Sequence, residues 1–448
     1  MPTIGHVTWQ LDGCIAIVTI SHPPVNTLCL EVRIGLLAAI ERSFQDPVVK
    51  VLIIIGEGST FVAGADINEF GKPYGFPSLY VILDLIMSGT KPVIAALHGN
   101  ALGGGLELAL ACQWRIANPT ALLGQPEVKL GLMPGGGGTQ WLTRMAGPEV
   151  ALEVCTSGMP ISAVQALNCG VVDRIVESDL LNGALVFAHE VATGLLPVRD
   201  LHLATDKIRH IDANFFSQYR LRHQEVWRGL LAPWKIIDCI EAACTMSFTD
   251  GFAMERQAFQ ACEAGPQSRA MIHLFFAHRT RQKSRKITVS AGHGQPELRV
   301  GFRLREVFCR ESSFLLGEGI SPGFIAHCLR QFGFNSDLPE LIMHLQFDFI
   351  PLHQPLPTRL TESDILQHLL YMMAIEGACL LDQQLISCAG DIDVVSVTEL
   401  GFPAYRGGIM YWMQETGEQA MQASLNSLLA RHAGRWQAPA MPNFFNRL

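Results

Sequence analysis

Hydrophobic positions along the chain follow two periods, one typical of strands and one typical of helices. Residues 7–20 contain two strand-like runs around an Asp-Gly pair, which favours a tight turn, so this segment predicts a β-hairpin. The continuous apolar runs 51–55 and 93–97 predict strands buried on both faces. Residues 30–44 have apolar side chains at helical spacing. Strands that alternate with helices in this way predict an α/β sheet with both faces covered.

From about residue 180 onward the pattern becomes helical. Segments 234–244 and 252–262 predict amphipathic helices, and a last helical region begins near residue 302. Between them, residues 287–298 are polar and rich in turn formers, which predicts a linker. In the last region a glutamate, a Leu-Leu pair and a Gly-Phe pair recur in the same order, which suggests a weak duplication. Chance similarity between helices explains such a pattern equally well.

Composition narrows the class of protein. At 448 residues, two or more domains are expected. The chain is 49% hydrophobic and 17% charged with a net charge of −8, which argues against nucleic acid as its main partner. Twelve scattered cysteines without a Cys-X-X-Cys pair indicate reduced thiols of a cytoplasmic protein. The N-terminus has no signal-peptide pattern, and the longest aliphatic runs are too short to span a bilayer.

Two glutamates lie in surroundings where acids are uncommon. Glu107 follows a glycine run and is flanked by leucine and alanine, and Glu127 lies in a second glycine-containing segment. A carboxylate in such a setting is poorly solvated, so we expect a raised pKa and acid/base chemistry. The residues alone leave an alternative open, and even favour it: Glu107 would be an exposed helix residue and Glu127 a loop residue or helix cap.

Glycine-rich segments near these acids suggest backbone hydrogen-bond donors. The N–H groups of Gly104 and Ala65 are candidates for holding a carbonyl oxygen that becomes enolate-like, because glycine lets a ligand approach the backbone closely. The competing interpretation is that residues 103–105 only allow a helix to pack tightly on a strand. Histidines and cysteines do not cluster at metal-ligand spacing, so no metal site is expected.

Three segments, 61–67, 98–111 and 124–144, together resemble the crotonase (enoyl-CoA hydratase/isomerase) superfamily. The likeness covers residues 1 to about 190. It implies an α/β domain with the ββα superhelix of that family, and an acyl-CoA thioester as the substrate.

The resemblance also implies a role for each candidate residue. Ala65 and Gly104 would form an oxyanion hole through their N–H groups, and the two acids would work on water and on the substrate α-carbon. CoA contacts are implied for three neighbouring positions: Ala63, Asp66 and Ile67. Family members with both acids are typically hydratases, whereas dedicated Δ3,Δ2-enoyl-CoA isomerases usually keep only the acid that matches Glu127. Both acids together favour hydration without excluding isomerisation.

The remaining sequence resembles the multifunctional fatty-acid β-oxidation enzymes, in which a 3-hydroxyacyl-CoA dehydrogenase follows the crotonase domain. Segments between residues 232 and 277 are similar to their connecting helices. The predicted division is a crotonase-like domain, connecting helices, a linker, and an all-α region resembling the dehydrogenase C-terminal domain with two weak repeats: 1–190, 191–286, 287–299 and 300–448.

One departure from that family concerns the NAD-binding domain. Between Lys286 and Val300 the family carries a Rossmann domain, whereas this chain has thirteen residues. Phe302 also stands where the family usually has asparagine. We therefore expect no NAD, no other cofactor, and no oxidation of a hydroxyacyl-CoA.

The function implied by the resemblance is a 2-enoyl-CoA hydratase of fatty-acid β-oxidation. The alternatives are a Δ3,Δ2-enoyl-CoA isomerase and a non-catalytic assembly subunit. The helical region would then serve a homo-oligomer or a β-oxidation partner. The C-terminal Asn-Arg-Leu is only faintly similar to a peroxisomal signal, which favours the cytoplasm.

Overall fold

The computed structural model describes residues 3–196, 200, 203–288, 296–334, 337–344 and 360–431. The chain divides into two compact units, Met1–Gly265 and Pro266–Leu448, called here the first and the second unit. The helices predicted at 234–244 and 252–262 therefore group with the α/β part. The predicted division at residue 190 stays a prediction.

The first unit is built on a seven-stranded sheet with the order β1-β2-β3-β4-β5-β7-β10, accompanied by a three-stranded sheet with the order β6-β8-β9. The strands are β1 Thr3–Ile4, β2 Val7–Asp12, β3 Ile15–Ile20, β4 Val51–Gly56, β5 Val93–Leu97, β6 Asn100–Leu102, β7 Trp114–Ala117, β8 Leu122–Gly124, β9 Ile161–Ser162 and β10 Arg174–Ile175. From β3 to β10 the strands of the large sheet are parallel. The predicted α/β class is confirmed.

Local patterns explain these strands. The hairpin forms as predicted: β2 and β3 are antiparallel, Asp12 is opposite Ile15, and Gly13 has a positive φ of 56° in the turn. Every residue of β4 and β5 is buried, which agrees with two covered faces. The helices of this unit are α1 Leu30–Gln45, α2 Leu79–Met87, α3 Gly104–Ala111, α4 Gly138–Ala146, α5 Pro148–Ser157, α6 Ala163–Cys169, α7 Leu180–Ala192, α8 Phe215–His223, α9 Ala232–Thr245 and α10 Phe248–Ala264.

The second unit is helical in its described part. Its helices are α11 Pro266–Thr288, α12 Pro296–Gly317, α13 Pro322–Phe332, α14 Asp337–His344, α15 Glu362–Asp382, α16 Ala389–Leu400, α17 Ile409–Thr416 and α18 Glu418–Arg431. The two Gly-Phe pairs that suggested a repeat have the same local form. Gly333 and Gly401 end α13 and α16 in the left-handed conformation, and the buried rings of Phe334 and Phe402 lie 5.4 Å apart.

The structure describes only part of the predicted linker 287–299. Its first two residues end α11 and its last four begin α12, and residues 289–295 lie outside the described residues. The C-terminal tripeptide also lies outside them.

One described helix, α15, is long and apolar enough to cross a membrane by length and composition alone. Its most apolar window has a mean hydropathy of 1.2 and is 56% buried. Leu369 and Met373 of this helix lie in the core of the second unit, as expected for a core helix. The expectation of no membrane span rested on short aliphatic runs and overlooked this longer mixed segment.

Candidate active site

The glycine run 103–105, at the start of α3, has two separate structural roles. Gly103 has φ 53° and ψ −129°, and its N–H donates to Gly124 O at 2.9 Å, which joins the turn to the end of β8. A methyl group on Gly105 would lie 2.3 Å from Val62 O, so this glycine allows close packing. A methyl group on Gly103 would lie 2.6 Å from Glu127 Oε1. The run therefore combines tight packing at Gly105 with a close approach to Glu127 at Gly103.

The two predicted oxyanion donors lie next to each other. Gly104 is the first residue of α3, and the first N–H groups of a helix have no partner inside that helix. A methyl group on Gly104 would lie 3.6 Å from Ala65 N. Ala65 is held by a parallel bridge to Leu28, whose N–H donates to Gly64 O at 2.9 Å. The structure thus brings together the backbone amides that the sequence singled out.

Glu107 is buried, with 3% of its surface exposed, so the interpretation as an exposed helix residue is wrong. Its Oε1 accepts hydrogen bonds from Gly136 N at 2.7 Å and Gly138 N at 3.1 Å. Both bonds end on one oxygen, which fixes that side of the carboxylate. Burial raises the pKa of Glu107 to about 7, although the backbone amides oppose the shift.

Glu127 lies in a short 3-10 helix, Pro126–Leu130, directly after β8. With its amide nitrogen turned toward Glu127, buried Gln125 donates to both carboxylate oxygens at 3.1 and 3.2 Å. Burial and the neighbouring charge of Glu107 raise the pKa of Glu127 well above its usual range. The same methyl position on Gly103 that meets Glu127 lies 4.0 Å from Gly64 Cα. The acid therefore borders both glycine segments.

A third carboxylate, Glu255, was not singled out from the sequence. It lies on α10, is 0% exposed, and accepts from Gly137 N at 2.5 Å and from Thr139 N at 2.9 Å. The Thr139 hydroxyl also donates to it. Burial, followed by the charge of Glu107, raises the pKa of Glu255 to about 8. The sequence did contain a sign that Glu255 is buried, because Glu255 lies on the same face of its helix as the apolar Phe252.

The segment with the implied CoA contacts has mixed features. Asp66 accepts from Asn68 N at 3.0 Å and from Asn68 Nδ2 at 2.8 Å, so its carboxylate caps the 3-10 helix Ile67–Glu69. Ala63 and Ile67 are half-buried. Their contact with CoA stays a prediction. Within the described residues, no group of three or more metal-ligating side chains is present.

Comparison with known proteins finds similarity over part of the chain. The family profile described as "Enoyl-CoA hydratase/isomerase" matches residues 10–208. A peroxisomal bifunctional enzyme of Danio rerio is 39% identical over 60% of this chain and 37% of its own length. A glyoxysomal fatty acid beta-oxidation multifunctional protein of Cucumis sativus is 36% identical over 62% of this chain and 40% of its own length.

A solved structure described as an enoyl-CoA hydratase subunit from Geobacillus kaustophilus is also similar. It is 28% identical, with a TM-score of 0.41, over 61% of this chain and 96% of its own. By contrast, the chain spans only about two fifths of the length of the multifunctional relatives. Over residues 10–208, somewhat less than half of the chain, the sequence is similar to the enoyl-CoA hydratase/isomerase family.

Proposed function

We propose that the first unit is a 2-enoyl-CoA hydratase, which adds water across the 2,3 double bond of an acyl-CoA thioester. The observation that carries the proposal is that the half-buried Glu127 lies against the glycine run whose Gly104 amide adjoins Ala65 N. The buried Glu107 is close enough for its charge to raise the pKa of Glu127. Acids with raised pKa values next to preorganised donors suit proton transfer at a carbon whose negative charge is delocalised onto a carbonyl oxygen.

The proposed reaction assigns one task to each group. The N–H groups of Ala65 and Gly104 hold the thioester oxygen as it becomes enolate-like, and loss of one such donor typically costs about 3 kcal/mol of transition-state stabilisation. Glu107 positions the water and takes its proton as the hydroxyl adds to C3. Glu127 gives a proton to C2. The two acids titrate as a coupled pair, so their roles are defined for the pair rather than by separate pKa values.

Hydration without dehydrogenation is the second part of the proposal. The segment 287–299 is too short for a nucleotide-binding domain of ordinary size, which spans at least about 50 residues. The relatives named as bifunctional and multifunctional are matched over about two fifths of their length. We expect purified protein to leave NAD unreduced in the presence of a 3-hydroxyacyl-CoA, measured by absorbance of the reduced nucleotide. Reduction of NAD would contradict this part alone.

The test of hydration is turnover of crotonyl-CoA and of longer 2-enoyl-CoA thioesters, followed by loss of absorbance. Glu127→Gln is expected to lose about 10²- to 10⁴-fold in activity while keeping its fold. The matched control is Glu153→Gln on the exposed side of α5, which should retain full activity. Full activity in Glu127→Gln would remove the acid/base assignment. No turnover of any chain length would favour the assembly subunit.

Isomerisation is the related candidate, because the family name covers both reactions. Glu107→Ala separates them when it is assayed with a 2-enoyl-CoA for hydration and a 3-enoyl-CoA for double-bond migration. We expect hydration to fall much further than isomerisation, because one acid is enough to shuttle a proton between C2 and C4. Equal losses in both assays would contradict the separate role of Glu107.

Location and partners remain proposals. The relatives are named as peroxisomal or glyoxysomal enzymes, and those names belong to them. The predicted cytoplasmic location is tested by imaging the tagged full chain. The predicted homo-oligomer or β-oxidation partner is tested by the mass of the purified protein in solution.

A further inference from the structure

Four consecutive amides at the start of α4 are shared between two carboxylates in strict alternation. Gly136 and Gly138 donate to Glu107, and Gly137 and Thr139 donate to Glu255. Glu107 comes from α3, inside the segment that the family profile matches, whereas Glu255 comes from α10, beyond its end at residue 208.

The two carboxylates use this turn differently. Glu107 receives both of its amides on Oε1. Glu255 receives one amide on each oxygen, and the Thr139 hydroxyl joins the second amide on Oε2. That hydroxyl accepts from Gln140 Nε2 at 3.0 Å, so its own proton is directed at Glu255. Three donors therefore converge on Glu255, and they leave neither oxygen able to turn away.

Packing around the turn explains why a second anchor is needed. Gly137 has φ 96°, and a methyl group there would lie 2.3 Å from the Trp141 ring. A methyl group on Gly135 would lie 2.6 Å from the ring of Phe259 on α10. Successive glycines restrict the backbone little by themselves. The side chains that surround the turn, and α10 above all, must therefore hold its amides in place.

We propose that Glu255 is a positioning residue for the acid/base site. By holding Gly137 and Thr139 it fixes the turn that presents Gly136 and Gly138 to Glu107. This inference rests on the proposed hydration for its kinetic consequence, but the anchoring itself does not depend on the reaction. A turn that is displaced by about 1 Å reorients Glu107, and misplacement on that scale lowers a rate by up to about 100-fold.

The test compares Glu255→Gln with wild type in the full chain, and uses Glu153→Gln as the control. The substitution keeps size but replaces one acceptor oxygen by a donor that faces a backbone N–H. We expect kcat for crotonyl-CoA to fall about 10- to 100-fold with KM within about twofold of wild type, because Glu255 is fully buried and both of its oxygens accept from the turn. We also expect faster amide hydrogen exchange in the peptide 134–141 and unchanged exchange in α5.

Each outcome decides the inference. The inference is overturned if Glu255→Gln keeps both the wild-type kcat and the wild-type exchange at 134–141. It is also overturned if KM changes by the same factor as kcat, because that pattern indicates general disruption of the site. If Glu255→Gln does not fold, Thr139→Val replaces it. That variant removes one donor and keeps both amides, and an unchanged kcat would then overturn the proposal. If wild type turns over no enoyl-CoA, the proposed function fails, and the exchange measurement alone judges the anchoring by Glu255.

Discussion

Buried carboxylates occur in both units, but their partners differ. In the first unit Glu107 and Glu255 are held by backbone amides, and within the described residues neither forms an ion pair with lysine, arginine or histidine. In the second unit each buried carboxylate has a basic side chain beside it. Glu311 accepts from His368 Nε2 and from Arg310 Nε, both at 2.9 Å. Asp393 accepts from His273 Nε2 at 2.8 Å, in addition to the amides of residues 410 and 411.

The difference separates two uses of buried charge. A protonated histidine or an arginine beside a buried carboxylate stabilises its ionised form, although burial still raises the pKa of Asp393 despite His273. A carboxylate beside neutral amides and another carboxylate keeps a raised pKa, because burial and repulsion both disfavour the ionised form. A carboxylate beside a basic side chain is suited to stabilising the fold. A carboxylate beside amides and another carboxylate is suited to proton transfer near neutral pH. The following variants test that contrast.

The largest effect is expected for Glu107→Gln. The amide oxygen can accept from both Gly136 and Gly138, because both amides donate to one oxygen of Glu107. We expect hydration to fall about 10²- to 10⁴-fold and the free energy of unfolding to stay equal or rise. Steady-state rates and urea denaturation measure the two quantities. A clear loss of stability would show that this acid serves the fold.

A smaller effect, on stability rather than activity, is expected for His368→Ala. The change leaves Glu311, which is 0% exposed, without its histidine partner in the core of the second unit. Leaving a buried acceptor oxygen without its hydrogen-bond donor costs about 1–3 kcal/mol, while Arg310 Nε stays 2.9 Å from the other oxygen of Glu311. Hydrogen exchange of peptides from α12 and α15 reports the loss. The rate per folded molecule should not change, and a change would argue against the contrast between the units.

Two glycine substitutions extend the contrast to the backbone. Gly103 and Gly333 both have a positive φ, of 53° and 114°, so alanine at either position should cost about 1–3 kcal/mol. At Gly103 the new methyl group would also meet Glu127 Oε1, and at Gly333 it would meet the Tyr405 hydroxyl. We expect both variants to lose stability and only Gly103→Ala to lose activity as well. Thermal unfolding and rates at a temperature below both transitions distinguish them.

The smallest effect is on pH dependence. Glu107 has a folded pKa of about 7, above its ordinary value of 4.5, so the folded state binds more protons between these values. Stability of the first unit should therefore fall as pH rises from about 5 to 7, by up to about 1.4 kcal/mol per pH unit for each such group. Glu107→Gln should flatten this slope. An unchanged slope would assign it to Glu127 and Glu255 instead.

The sequence predicts the fold where local patterns decide it. The hairpin of β2 and β3, the buried runs β4 and β5, and the helix α1 follow from period and turn residues alone. Grouping of α8 to α10 with the first unit does not follow in this way. It depends on long-range contacts, such as that of Arg144 with Ala243 O at 2.8 Å, which leave no local pattern.

The site could be predicted only in part for the same reason. Glu107 and Gly104 stand out because acids and glycines are unusual within an apolar run. Glu255 is separated from the turn it holds by more than a hundred residues, and its only local signal is an acid on the face shared by Phe248 and Phe252. Half-burial of Glu127 and its approach to Gly103 also depend on how β8 meets α3.

The position of α10 has a consequence for producing the candidate site as a shorter fragment. A fragment cut where the family profile ends, at residue 208, would omit α8, α9 and α10 and expose the glycine turn to solvent. Such a fragment would retain both acids proposed to act in catalysis and lose the helix that shields them. A fragment that keeps α10 should extend to Gly265, the end of the first unit.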